Sequence, residues 1–204
     1  MKISKRVVAK ALAHTGCAIP LAGIARDTLT NQLGTDPAET LVRLLGFWGI
    51  TLLWITLAMT PLRHLTGGSL WIACRRLLGL WCFAYISLHL LAFLVFWCGA
   101  NLEFIIEETV KRPYVALGLI GWILLVPLAI TSTQKARRAL GKRWIKLHQL
   151  IYPIALLGLV HLIWIEKLDY TKSIIFSIIL IFLFFIRFRA RQRKPASIEC
   201  ASSA

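Results

Sequence analysis

LLGLWCFAYISLHLLAFLVFWCGANL, residues 77–102, runs for 26 positions without an Asp, Glu, Lys or Arg. A helix needs roughly 20 mostly apolar residues to cross the hydrocarbon core of a bilayer, so this stretch is long enough to span. Working outward from it, further apolar runs predict spans at about 7–25, 44–62, 77–98, 114–133, 148–165 and 172–188. The last has a short uncharged centre, Ser173–Ile186, which Lys172 and Arg187 extend because their long stems let the charge reach the interface. The first is the weakest and contains Lys10, His14, Gly16, Pro20 and Gly23. Composition agrees with the spans. The chain is 58% hydrophobic and only 16% charged, where soluble domains carry about 25% charged residues. The expected fold is an all-α integral membrane bundle of about six transmembrane helices. It comprises one membrane domain, 1–193, and a polar cytoplasmic tail, 194–204.

The net charge of +15 would suggest nucleic acid in a soluble chain. Here the basic residues sit between apolar runs, where they orient a protein in the bilayer instead. With six spans, Arg26, Arg43, Lys111, Arg112, Lys167 and Lys172 fall on one side, and the remaining 18 of the 24 basic residues fall on the other. The positive-inside rule then puts both termini in the cytoplasm. Eight of the nine acidic residues fall outside, all but Glu199. The partner implied is the lipid bilayer, with no nucleic acid. The five cysteines form no CxxC pair, so no disulfide framework or cysteine metal site is expected. No cleavage signature follows the first apolar run, so no removed signal peptide is expected. No GxGxxG or GxxxxGK[ST] motif marks a nucleotide domain.

Five histidines remain: His14, His64, His89, His148 and His161. Ionisable residues inside spans are costly and usually face the bundle interior. His89 lies twelve residues into the third span, roughly 18 Å deep at 1.5 Å per residue. His161 lies thirteen residues past His148, roughly 20 Å deep on the same scale. The third and fifth spans run in the same direction, so the two rings share a level in the outer half of the membrane. Two neutral imidazoles facing each other can hold a haem iron from both sides, which would make 1–193 a haem-binding domain. An interhelical hydrogen bond or a proton relay would use the same residues. Trp81, Tyr85, His89, Phe93 and Trp97 form an aromatic stripe, and Ala155 and Gly158 offer small residues beside His161.

His148 sits near the inner interface. On a straight helix it would lie about 140° around from His161, unless Pro153 bends the helix. A second inner haem, a flavin or quinone contact, or an interfacial cap are its open readings. His64, in PLRHLTGG, reads as solvated.

Several segments carry a resemblance. RRLLGLWCFAYISLHL (75–90), RPYVALGLIGW (112–122), TSTQ (131–134), LGKRWIKLHQLIYP (140–153) and LVHLIW (159–164), with TPLR (60–63), resemble the MsrQ family, also called YedZ. That family is one of the ferric-reductase-like transmembrane domains. The resemblance implies a bacterial inner-membrane, multi-pass subunit that binds haem b and also FMN. It implies electrons taken from the quinone pool or a cytoplasmic flavin reductase. They would pass to a periplasmic molybdopterin-containing catalytic subunit, MsrP, which repairs methionine sulfoxide in proteins. The family's histidines fall on His89, His148 and His161 here, and no ligand role is carried to His14. The competing expectations are a stand-alone ferric or metal reductase and a cofactor-free membrane anchor or transporter.

Overall fold

The computed structural model describes residues 4–166 and 170–192. The expected tail, 194–204, lies outside them. Among the described residues nine α-helices follow in order: α1 (Lys5–Leu29), α2 (Pro37–Thr66), α3 (Leu70–Ala92), α4 (Leu102–Lys111), α5 (Pro113–Ile130), α6 (Gln134–Leu140), α7 (Lys142–His148), α8 (Ile151–Ile165) and α9 (Thr171–Gln192). A π-helical turn, Phe93–Trp97, continues α3. Among the described residues there is no strand, and six helical segments are long and apolar enough to cross a membrane. Much of the apolar surface faces outward, as lipid contact requires: Ile181 is 68% exposed and Phe182 60%.

Helices α1, α2, α3 and α9 outrun the apolar stretches that announce them, whereas α5 stops short of its expected end. Apolar length reports the membrane core, whereas a helix continues until its end is capped. The Asp36 carboxylate accepts from the Glu39 amide at 2.9 Å and Pro37 sits in the first turn, so α2 starts seven residues before the expected span. At its other end Gly67 takes φ 68°, a left-handed stop that costs glycine little. Helix α3 follows almost at once, and Arg75 and Arg76 are helical.

Half of the apolar window of α2 is buried, against 11% for α1 and α5, so α2 is the central helix. Lipid tails are as apolar as side chains, so spans associate through close packing and hydrogen bonds. The α2–α3 seam has both. A Cβ on Gly49 would stand 2.7 Å from Ile86 Cγ1, so only glycine admits that contact. The Cys82 thiol donates to the Gly49 carbonyl at 3.4 Å. Further along, Thr56 meets Gly79, and Arg75 donates to Thr60 Oγ1 at 3.3 Å. Each step up one helix matches an equal step down the other, the register of an antiparallel hairpin. Tyr85, fully buried, ties α3 to α1 through its hydroxyl on the Cys17 carbonyl at 2.7 Å. Trp54 of α2 donates to the Phe176 carbonyl of α9 at 2.9 Å.

Pro61 leaves a gap inside α2. It has no N–H, so the Leu57 carbonyl one turn earlier loses its helical donor. Arg187 of α9 fills that place, donating to Leu57 O at 2.6 Å and to the Tyr152 hydroxyl at 2.7 Å. Arg187→Met is therefore expected to cost about 2 kcal/mol, the usual penalty for orphaning a buried acceptor. In a Pro61→Ala background, where the helical donor returns, the loss in thermal midpoint should be about half as large. Equal losses in the two backgrounds would break the link.

Candidate functional site

His89 of α3 and His161 of α8 meet in the bundle interior, with ring centroids 6.2 Å apart and planes at 88°. Each ring is anchored in the same way. His89 Nδ1 lies 2.8 Å from the Val42 carbonyl of α2, and His161 Nδ1 lies 2.6 Å from the Tyr114 carbonyl of α5. A carbonyl can only accept, so each Nδ1 carries the proton and donates. Each Nε2 is left with a bare lone pair, the form in which imidazole binds a metal.

A glycine makes room for each ring. Gly46 stands one turn after Val42, and its added Cβ would lie 2.9 Å from His89 Nδ1. Gly118 stands one turn after Tyr114, and its added Cβ would lie 2.8 Å from His161 Cε1. The two anchors are thus copies of one device: a carbonyl, a glycine four residues on, and a histidine from another helix seated against both. Sequence reasoning reached the two histidines and missed the glycines and carbonyls. The available signal was a glycine at the histidine's depth in two other spans. A Cβ added at Gly158, which the sequence placed beside the site, would lie 4.0 Å from Ile50 Cδ1.

Side-chain bonds hold the frame. Trp122 of α5 donates to Ser87 Oγ of α3 at 3.0 Å, fixing the separation of the two helices that flank the site. Arg112 donates to the Tyr114 hydroxyl at 3.0 Å and pairs with buried Glu108 at 2.9 Å, which pins the start of α5.

The separation suits one metal between the rings. Two metal–nitrogen bonds of about 2 Å and two ring half-widths of about 1.1 Å span about 6.2 Å, the centroid separation found. Among the described residues no group of three or more His, Cys, Asp or Glu forms a metal cage. Two neighbouring imidazoles are a donor set that would suit a metal already held by an equatorial macrocycle.

His148 does not join this pair. It ends α7, with its ring stacked on Trp144 at 3.9 Å and its Nδ1 3.1 Å from the Trp144 carbonyl. The helix is interrupted behind it. Pro153 cannot donate to the Gln149 carbonyl, and the chain passes through tighter bonds, Gln149 N to Lys146 O and Tyr152 N to Gln149 O, before α8 begins. His14 accepts from Trp81 Nε1 at 3.1 Å across α1 and α3. His64 is exposed near the end of α2. The aromatic stripe fans out: Trp81 and Tyr85 face α1, His89 faces α2 and α8, and Phe93 and Trp97 bound the π-helical turn.

Residues 45–159 match the family described as ferric reductase like transmembrane component. A protein of Xanthomonas campestris pv. campestris, described as protein-methionine-sulfoxide reductase heme-binding subunit MsrQ, is 47% identical over 154 residues, which is 76% of this chain and 71% of that protein. A protein of Xanthomonas axonopodis pv. citri with the same description is 41% identical over 180 residues, 85% of this chain and 83% of its own length. Its six apolar helices and these matches make the chain a multi-pass protein of the bacterial inner membrane that belongs to the ferric-reductase-like transmembrane family, in its MsrQ branch.

Proposed function

We propose that this chain is the haem b electron-transfer subunit of a protein-methionine-sulfoxide reductase system, with His89 and His161 as the two axial ligands. One observation carries the reading: both rings are fixed by Nδ1 on backbone carbonyls, with centroids 6.2 Å apart. When bound, haem supplies reversible one-electron exchange at its iron. The chain's own residues do the rest. Val42 and Tyr114 set the tautomer and orientation of the ligands. Gly46 and Gly118 let those rings lie against the helices. The packed bundle around them keeps water from the site, which raises the influence of each nearby dipole.

In this reading both termini are cytoplasmic and the histidine pair lies nearer the outer surface. The subunit takes electrons from the quinone pool or from reduced flavin, FMN included. It delivers them to a periplasmic molybdopterin-containing catalytic subunit. The names of the similar Xanthomonas proteins, heme-binding subunits of such a reductase, support this division of labour.

The test is a reduced-minus-oxidised spectrum of the purified chain, with haem extracted and counted. The expected result is a b-type spectrum with one haem per chain. Colourless protein from haem-replete cells would overturn the proposal.

A further inference from the structure

The basic end of the bundle holds a second cluster that the histidine pair does not use. Arg75 of α3 and Arg187 of α9 lie within electrostatic reach of each other and of Tyr152. Arg75 makes one long bond, to Thr60 Oγ1 at 3.3 Å. Among the described residues no carboxylate comes near. Every described acidic residue belongs to the other end of the bundle, between Asp27 and Glu39, between Glu103 and Glu108, or at Glu166. Two guanidinium groups inside a membrane protein without a counter-charge are costly.

Unmet hydrogen bonds collect at the same place. Among the described residues three buried side-chain polar atoms lack a hydrogen-bond partner. One of them, Glu108 Oε2, is ion-paired with Arg112. The other two are Arg187 Nε and Thr56 Oγ1, and both flank Leu57, whose carbonyl Arg187 already holds. Thr56 is 6% exposed and stands one turn from Thr60 on the same face of α2.

The depth of the cluster points to the occupant. With α2 about 45 Å long and centred on a hydrocarbon core of about 30 Å, Thr60 falls within about 2 Å of the core's edge and Leu57 about 7 Å inside it. A phospholipid's glycerol esters lie at that boundary and its phosphate just outside it, within reach of an arginine's long side chain, whereas a soluble anion would have to leave water to reach it. Beside the cluster α9 presents Ile181, Phe185 and Phe188 bare, at 68%, 52% and 61% exposure, a surface for acyl chains.

We propose that Arg75 and Arg187, with the Thr60 and Tyr152 hydroxyls, form a binding site for the phosphate of one anionic phospholipid drawn from the leaflet at the basic end. The lipid supplies the missing negative charge and acceptors for the free guanidinium N–H groups. It clamps α9 to the α2–α3 hairpin that carries His89. The site rests on the six-span membrane reading and not on haem.

The full-length chain in neutral detergent tests this, with haem absorbance read on the same samples so that a failure of the haem reading is seen separately. Phosphatidylglycerol is expected to raise the thermal midpoint by about 5 °C over phosphatidylcholine. Native mass spectrometry should show one anionic phospholipid retained per chain. Arg75→Gln should lose both effects, whereas Arg75→Lys, which keeps the charge, should keep most of the midpoint gain. Equal midpoints in the two lipids, or an undiminished gain in Arg75→Gln, would overturn the site. An equal gain from inorganic phosphate would overturn the lipid as its occupant.

Discussion

Replacing His89 or His161 with alanine is expected to remove the haem, with each variant retaining about one-tenth or less of the wild-type Soret absorbance. The magnitude follows from what is lost. Mutating a partner that merely orients a metal ligand costs about 10–100-fold in affinity, and losing the ligand itself costs more. Either variant also leaves the opposite imidazole pointing at nothing, since its Nδ1 stays committed to Val42 or Tyr114. His148→Ala is the control. Its ring is stacked on Trp144 and bonded to that residue's carbonyl, and Arg75 lies within electrostatic reach of it across the bundle. That variant should keep the full Soret band. A normal band in both His89→Ala and His161→Ala, or its loss in His148→Ala alone, would move the haem elsewhere.

The second large effect is expected at the two glycines, and its two parts have opposite signs. Gly to Ala inside a helix ordinarily adds about 1 kcal/mol of stability. In Gly118→Ala the new methyl would stand 2.8 Å from His161 Cε1 and 3.0 Å from Nδ1. The ring must shift, and the short bond to Tyr114 O must stretch or break. Gly46→Ala does the same to His89, at 2.9 Å from Nδ1. Overpacking of this kind costs about 1–3 kcal/mol, which the helical gain offsets only in part. Haem affinity should therefore fall on the order of 10–100-fold, while the haem-free chain melts only slightly below the wild-type temperature. Haem titration and thermal unfolding of the apo form separate the two. A haem affinity unchanged in both variants would show that the rings are free to move.

Much of the fold is legible in the sequence because lipid imposes a simple condition. Every backbone polar group in the hydrocarbon must be satisfied within its own segment, so long apolar runs become helices. The run at 77–102 and its counterparts therefore predict six spans, and six candidate spans are present among the described residues. The span limits were less legible. The extensions of α2 and α3 past their apolar runs come from Asp36, Pro37 and Gly67, capping signals that hydropathy ignores. The break before α8 was partly legible: Pro153 was in view, but the chain gives way four residues earlier, at the carbonyl the proline cannot serve.

The candidate site divides in the same way. His89 and His161 could be paired from depth alone, because a helix rises by a fixed amount per residue. Sequence by itself thus determined the class of fold, the number of crossings and the height at which two histidines sit. Which way those rings turn was decided by the tertiary structure. The Val42 and Tyr114 carbonyls, and the space above Gly46 and Gly118, belong to helices other than those that carry the histidines. The same holds for Arg187, whose purpose appears only when α9 lies against the gap that Pro61 opens in α2. Height is a property of one helix, whereas orientation and hydrogen-bond partners arise only when two helices touch.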